Sequence, residues 1–371
     1  MTQPLVPAYG ASTLADLLPS IATVLGLPGR DNVLTLPPAQ RFVVLLVDGL
    51  GWHLLEGREA QAPFLCALMA QARPITAGVP STTATSITSL GTGLTPGQHG
   101  VAGYTFRYGG GLLNALLWQS GLSGLEVQPQ LTMFERLSKA GVRCATVTPA
   151  RFQGSGLTTC ALRGADFLGV SEQAGAERRV ALTVQAAQAG ERSLVYVYDR
   201  NLDHAGHRAG VASAAWAGEL ARIDRFAQSL RAALPDEARL IITGDHGMVD
   251  VPLEQRLTIE QHEDLIADVQ LVGGEGRLRQ LYVRPATEAA VQARWVDRLG
   301  ADAWVLTREQ ASEAGWFGAL APRLADRFGD VLVAMAGPGA LMTETQPNEY
   351  TLVGMHGSLT AVELTVPLLI G

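Results

Sequence analysis

A chain of 371 residues with 47% hydrophobic and only 17% charged side chains can bury a large core, which excludes disordered and fibrous classes and leaves one large domain carrying an insertion, or two domains. Its formal net charge of −7 argues against binding nucleic-acid duplexes, which need a basic face, although bound cations would let it take a phosphate substrate. Three cysteines, Cys66, Cys144 and Cys160, lack CxxC spacing and so point to neither a disulfide framework nor a thiolate zinc site. No leader pattern opens the chain and no apolar run reaches the length of a membrane span, so a soluble, cytoplasmic protein without membrane contact is expected.

Residues 42–47 are a continuous apolar run ending at Asp48-Gly49, the pattern of a parallel strand buried on both faces. Leu54, Leu55, Phe64, Leu65, Leu68 and Met69 are spaced as in one helix over about 52–72, which completes a first β-α unit. Further on, helix is predicted over 134–140, strand over 143–148, helix over 180–189 and strand over 193–198. A long amphipathic helix over 212–234 precedes a strand over 238–243 that leads to Asp245 and His246. Strands alternating with helices predict an α/β fold, its mostly parallel central sheet sandwiched by helices. After Val251-Pro252 the rhythm changes, and runs at 268–272 and 278–283 flank Gly273-Gly-Glu-Gly276 as a hairpin. Helices near 286–299 and 308–316 and a strand over 331–335 follow. The expected division is a catalytic α/β domain of residues 1–254 plus 346–371, with residues 255–345 inserted as a smaller α+β cap. Pro367 in the last run, 364–370, suits an edge strand or an irregular end.

The chemistry-bearing residues gather at or just beyond strand ends. Asp48 follows the first run, and Asp245 with His246 follows the run at 238–243, where open α/β sheets bind ligands. Asp203 and His207, four residues apart, share a face if their stretch is helical, as a pair of metal ligands requires. That pairing favours Asp203 over Asp199, which also ends a strand. His356-Gly357 is the fourth cluster. Taken singly, Asp48 reads equally as a turn residue and the Asp203/His207 pair as a surface ion pair. The segment 78–93 is dense in Ser and Thr, which cap a helix N-terminus and could also supply a nucleophile where amides and the helix dipole receive a phosphoryl group.

In order along the chain, Leu-Val-Asp48-Gly, Pro80-Ser-Thr-Thr83 running on to Thr92-Gly-Leu-Thr-Pro-Gly-Gln-His99-Gly100, Asp203-x-x-Gly-His207, Gly-Asp245-His246-Gly-Met and His356-Gly form a series. That series resembles the alkaline phosphatase superfamily and, within it, the nucleotide pyrophosphatase/phosphodiesterase family. The resemblance implies two divalent cations, most simply zinc, one held by Asp48, Thr83, Asp245 and His246 and the other by Asp203, His207 and His356. It implies Thr83 as a nucleophile that passes through a phosphothreonine, with Thr82 and Thr85 as the alternatives. Ser86 stands where the family usually has an asparagine that helps bind a phosphoryl oxygen. The substrate implied is a small-molecule phosphodiester or nucleotide.

Residues 74–106 contain no Arg or Lys to neutralise the extra charge of a monoester, which favours a diester or pyrophosphate bond. A phosphomonoesterase or an enzyme like phosphonoacetate hydrolase, from the same superfamily, remains an alternative. From another class, a catalytically silent metal-binding interaction module would fit the fold but gives no reason for a complete ligand set beside a hydroxyl. Oligomeric state is not legible in the sequence.

Overall fold

The computed structural model describes residues 3–29, 31–118, 121–171 and 174–371. Six strands, β1 (Arg41–Val47), β2 (Arg73–Thr76), β3 (Arg143–Pro149), β4 (Asp166–Val170), β5 (Ser193–Asp199) and β6 (Ala238–Gly244), belong to one sheet. Four more, β7 (Val269–Glu275), β8 (Leu278–Val283), β9 (Ala303–Thr307) and β10 (Val331–Met335), build a second, antiparallel sheet in the order β7-β8-β10-β9. The last, β11 (Thr365–Ile370), returns to the first sheet, whose order is β2-β11-β6-β1-β5-β3-β4.

From β6 through β1, β5 and β3 to β4 every pairing is parallel. Because side chains alternate across a strand, each continuous apolar run feeds two cores. Phe42, Val44 and Leu46 of β1 pack on one face with Tyr196 and Tyr198 of β5, while Val43, Leu45 and Val47 pack on the other with Val195 and Val197. Helices α1 (Thr83–Thr92) and α2 (Gly156–Leu162) help cover the first face. The second is covered by α3 (Ala176–Ala187) and α5 (Ala214–Ala233), with α4 (Asn201–Ala209) carrying the chain between β5 and α5. This is the mostly parallel, helix-flanked α/β architecture expected from the sequence.

The second sheet has two apolar faces of its own. Leu281, Val283, Val331, Val333 and Val305 close a separate core with Trp295 of α6 (Glu288–Leu299), while Leu278, Leu332 and Ala334 face the main core. It is therefore packed down along one side. Two buried ion pairs fasten its hairpin: Arg277 to Glu363 at 2.7 Å, and Arg279 to Glu349. Removing one partner of such a pair strands a charge and costs about 3–5 kcal/mol, so the hairpin is held in one place.

Three local expectations are corrected. The stretch 52–72 is not one helix but two short ones, Trp52–Leu55 and Pro63–Met69: the first ends where Glu56 is extended and Gly57 turns at φ +72°, and Pro63 keeps Ala62 out of helical geometry and opens the second. The hairpin turn is tighter than Gly273-Gly-Glu-Gly276, since Gly273, Gly274 and Glu275 are already strand and only residues 276 and 277 turn. Strand β11 is not at an edge. Its first half, including Pro367 opposite Pro74, pairs with β2, and Leu369 and Ile370 pair with β6, so the proline faces only one neighbour. Among the described residues no helix is long and apolar enough to cross a membrane.

Candidate metal centre and active site

The parallel register brings the strand ends level. Val47 lies opposite Asp199 on one side and Gly244 on the other, so Asp48 and Asp245 leave the same sheet edge side by side. Gly49 makes the turn after Asp48 at φ +75°, and a Cβ there would stand 3.0 Å from the Asp203 Cα, so only glycine lets α4 approach. On α4, Asp203 and His207 are one turn apart with Oδ1 and Nε2 at 3.3 Å. His356 follows the two-residue strand Gly354–Met355, which pairs antiparallel with Val249–Asp250, and completes the cluster.

Two sets of three side chains have donor atoms close enough to share one ion each: Asp48, Asp245 and His246, and Asp203, His207 and His356. The rings of His246 and His356 stack at 3.6 Å between centroids, so the two sets touch. In each of the three histidines Nδ1 meets a backbone carbonyl: Gly247 at 2.9 Å for His246, Gly354 at 2.8 Å for His207 and Ser81 at 3.0 Å for His356. A carbonyl only accepts, so Nδ1 carries the hydrogen and Nε2 is turned into the cluster, as ligating imidazoles are held. Oδ2 of Asp245 and Oδ1 of Asp203 are buried without a hydrogen-bond partner among the described residues.

Electrostatics give the same reading. Burial and then Asp48 push the Asp245 carboxyl up to about 7, and burial with Asp48 holds Asp203 well above the carboxylate range. Burial alone would depress His246, yet Asp245, Asp48 and Asp203 outweigh it and hold that imidazole well above its ordinary value. His207 and His356 are depressed, in both cases chiefly by burial. Three carboxylates packed out of water cannot all ionise without positive charge between them. Oxygen and imidazole donors with two orphaned carboxylate oxygens fit divalent cations, and the donor set suits zinc while admitting manganese or iron.

Thr83 is the first residue of α1, and its Oγ1 stands 3.2 Å from His246 Nε2 and 3.4 Å from Asp48 Oδ1. Thr82, at the N-cap position, makes no side-chain cap. Its hydroxyl lies on the side of Glu275 and favours the ionised form of that carboxyl. The helix N-terminus is thus open to the cavity, and the reading of this segment as hydroxyl caps does not hold at Thr82. Ser86 is fully buried with its hydroxyl unpartnered, and at that turn of α1 it is Ile87, not Ser86, that lines the cavity.

Asp199 is drawn off by Arg179 at 2.6 Å and Arg222 at 2.7 Å; these outweigh burial and hold it below the usual carboxylate range. His99 is structural, its Nε2 2.9 Å from Ser89 Oγ and its Nδ1 accepting from the Val101 amide. His53 meets Glu56 and His262 meets Arg298, both away from the cluster.

Two neighbours of the site were not identified from sequence. The Tyr198 hydroxyl donates to Asp48 Oδ2. Glu275, at the end of β7, reaches over from the second sheet with Oε2 3.5 Å from His356 Nδ1, and burial pushes its carboxyl up to about 8. The one signal for it was an acid amid glycines, whose purpose shows only in three dimensions: a Cβ on Gly357 would stand 2.8 Å from Glu275 Cγ. A cavity of about 410 Å³ opens over the cluster and is lined also by Ile87, Tyr104, Leu116, Phe152, Leu157 and Leu162, with Arg151 and Arg200.

Residues 42–359 match the family described as type I phosphodiesterase/nucleotide pyrophosphatase. No curated protein matches the sequence. Among solved structures the fold is similar to murine ectonucleotide pyrophosphatase/phosphodiesterase 5, an inactive variant in complex with AMP, at 17% identity, with a TM-score of 0.70 and coverage of 89% of this chain and 87% of that one. The human protein of that name gives a TM-score of 0.69 at 17% identity, covering 89% of this chain and 87% of its own. Phosphonoacetate hydrolase from Sinorhizobium meliloti 1021, in complex with phosphonoformate, gives 0.67 at 18% identity over 90% of each chain. With a match over that span, on a sheet edge that gathers these acids and imidazoles, the chain belongs to the type I phosphodiesterase/nucleotide pyrophosphatase family and is a phosphoester hydrolase.

Proposed function

We propose that this enzyme cleaves a phosphodiester or pyrophosphate bond of a small molecule through a phosphothreonine on Thr83, with two divalent cations, most simply zinc, held by Asp48, Thr83, Asp245 and His246 and by Asp203, His207 and His356. The observation that carries this reading is the Thr83 hydroxyl at an uncapped helix N-terminus, within 3.4 Å of both Asp48 and His246. When bound, the cations would neutralise phosphoryl charge and make hydroxyl groups acidic at neutral pH.

In this assignment the Thr83 hydroxyl, which donates to Asp48 Oδ1, passes its proton by way of that carboxylate to water, its oxygen forms the new bond to phosphorus, and the ester oxygen leaves with the electrons of the broken P–O bond and takes up a proton from water. Free amides of the first turn of α1 and its dipole receive the phosphoryl oxygens. A water entering on the side of Asp203, His207 and His356 then cleaves the phosphothreonine. Ser86 lies off the cavity and is left out of the assignment. The segment 255–345 acts as a cap that lends Glu275 to the site.

Absence of Arg and Lys from residues 74–106 supports a diester over a monoester. Arg107 does not alter this, being turned to Asp330 at 3.3 Å and over the Tyr282 ring. The aliphatic and aromatic cavity wall supports an apolar or aromatic ester group. Arg151 and Arg200 on the same lining favour a second reading for the bond, a pyrophosphate whose outer phosphate they meet. The murine relative's complex with AMP accords with nucleotide substrates, and the phosphonoacetate hydrolase likeness keeps a phosphonate substrate as the competitor.

Zinc-loaded protein is expected to hydrolyse bis-p-nitrophenyl phosphate well and p-nitrophenyl phosphate poorly. Faster turnover of the monoester, or release of phosphate from phosphonoacetate with neither ester cleaved, would replace the proposed substrate class.

Metal removal has a pH signature. Folded, metal-free protein keeps protons on Asp245 up to about 7 and on Glu275 up to about 8, whereas unfolded chain releases them near pH 4. Folded-state stability therefore falls as pH rises through that window, and His246 acts in the same sense. The depressed His207 and His356 act oppositely, but only below about pH 6.5, the unfolded histidine value. Stripped protein should thus melt at a lower temperature at pH 8.5 than at pH 6.5, and saturating zinc should remove most of the difference. A melting temperature of stripped protein that holds level or rises across this range would refute the buried-acid picture.

A further inference from the structure

The hydrogen bond from Tyr198 to Asp48 ties a residue outside the proposed ligand sets to one inside them. Leu46 of β1 lies opposite Tyr198 of β5, and the Asp48 amide donates to the Asp199 carbonyl at 2.8 Å, so the two strand ends are locked in register. Asp48 follows Leu46 by two residues and continues the same face of the sheet, the face on which Tyr198 lies. The phenol spans that single step, and its hydroxyl reaches Asp48 Oδ2. The other oxygen, Oδ1, is then the one turned to Thr83 Oγ1 and to His246 Nε2, each at 3.4 Å.

We propose that Tyr198 is a positioning residue for the proposed metal centre: by donating to Asp48 Oδ2 it fixes the rotation of the carboxylate so that Oδ1 serves the nucleophile and its cation. The inference rests on the metal-site assignment above. A carboxylate that accepts no such bond swings about its last torsion, which is broad and nearly two-fold, and must be ordered again each time an ion binds. Outer hydrogen bonds to ligands are worth about 10–100-fold in metal affinity.

Tyr196 supplies the comparison. It sits two residues earlier on the same face, its ring stacked on that of Tyr198 at 6.4 Å and 12°, and its buried hydroxyl has no hydrogen-bond partner among the described residues. Loss of its oxygen removes comparable polarity and leaves the bond to Asp48 in place.

The test is zinc affinity of purified Tyr198→Phe, Tyr196→Phe and wild-type protein, by competition with a chromogenic chelator, beside the melting temperature of each metal-free form. Wild type is expected to take two zinc ions; if it takes none, the metal-site assignment itself fails. Given two, Tyr198→Phe is expected to bind one of them about 10–100-fold more weakly and the other within about twofold, with Tyr196→Phe unchanged at both. Wild-type affinity in Tyr198→Phe, equal loss at both ions, or equal loss in Tyr196→Phe overturns the proposal and leaves the tyrosine a packing group. Should Tyr198→Phe not fold, a crystal structure of the zinc-loaded wild type decides: the hydroxyl on the Asp48 oxygen turned away from zinc sustains the inference, and a hydroxyl directed elsewhere ends it.

Discussion

Thr83→Ala protein should still take up two metal ions, one of them through Asp48, Asp245 and His246 alone and so more weakly, and lose about 10³-fold or more in kcat. The substitution removes one hydroxyl and one methyl from a residue only 8% exposed at the start of a helix, where alanine is a good helix former, so fold and helix survive. Asp48, Asp245 and His246 keep their geometry because each is held by groups other than Thr83: Asp48 by Tyr198, Asp245 by the Gly49 and His246 amides at 3.1 Å each, and His246 by the Gly247 carbonyl. What disappears is the attacking oxygen. Residual turnover would come from water alone, without a phosphothreonine, and rapid-quench labelling should detect none. Retention of near wild-type kcat would remove Thr83 from the role and pass it to Thr82 or Thr85. Of these, Thr85 is the poorer candidate, since its hydroxyl already donates to the Val101 carbonyl.

Asp245→Asn should cost metal before it costs fold. Asparagine keeps the volume and an acceptor for the Gly49 and His246 amides, which alanine would leave unsatisfied at about 1–3 kcal/mol each. It replaces the orphaned Oδ2 with an amide NH2 group, a donor without a free lone pair to ligate a cation, and takes away one buried negative charge. Elemental analysis should find the content reduced from two equivalents toward one, with turnover falling by a factor comparable to that of Thr83→Ala. Metal-free Asp245→Asn should melt no lower than metal-free wild type at pH 8.5, because the carboxylate it removes is unfavourably buried once ionised. Two tightly held equivalents in this variant would refute Asp245 as a ligand.

Much of the site was legible because its residues sit where a pattern ends. An apolar run buried on both sides is easy to see, and the first polar residue after it, Asp48 or Asp245, is carried to the sheet edge by geometry alone. Asp203 was separable from Asp199 by its helical spacing to His207, and the arginines that claim Asp199, on α3 and α5, explain physically why that acid stands apart. Glu275 and Tyr198 escaped notice for a different reason. Their positions depend on the register of β5 against β1 and on how the second sheet is seated, which no periodicity encodes. Ser86 shows the limit of spacing within a helix: three residues on from Thr83 lies deeper in the core, while four residues on, at Ile87, lies on the cavity wall. The helix expected over 52–72 failed because the apolar spacing was counted through Pro63, and the edge position of β11 failed because a strand can divide its two sides between its two halves.

The placement of β11 has a consequence for synthesis. This strand, made after residue 364, lies between β2 and β6 in the finished sheet, and the nearby Glu363 anchors the hairpin that carries Glu275. His356 belongs to the same late stretch. A ribosome-bound chain that has already exposed Asp48, Thr83, Asp203 and Asp245 therefore holds a gap in its sheet, one imidazole too few and an unfastened roof. On the proposed metal assignment, the set Asp203, His207 and His356 is complete, and the hairpin carrying Glu275 is fastened, only once residues 356–370 have taken their places.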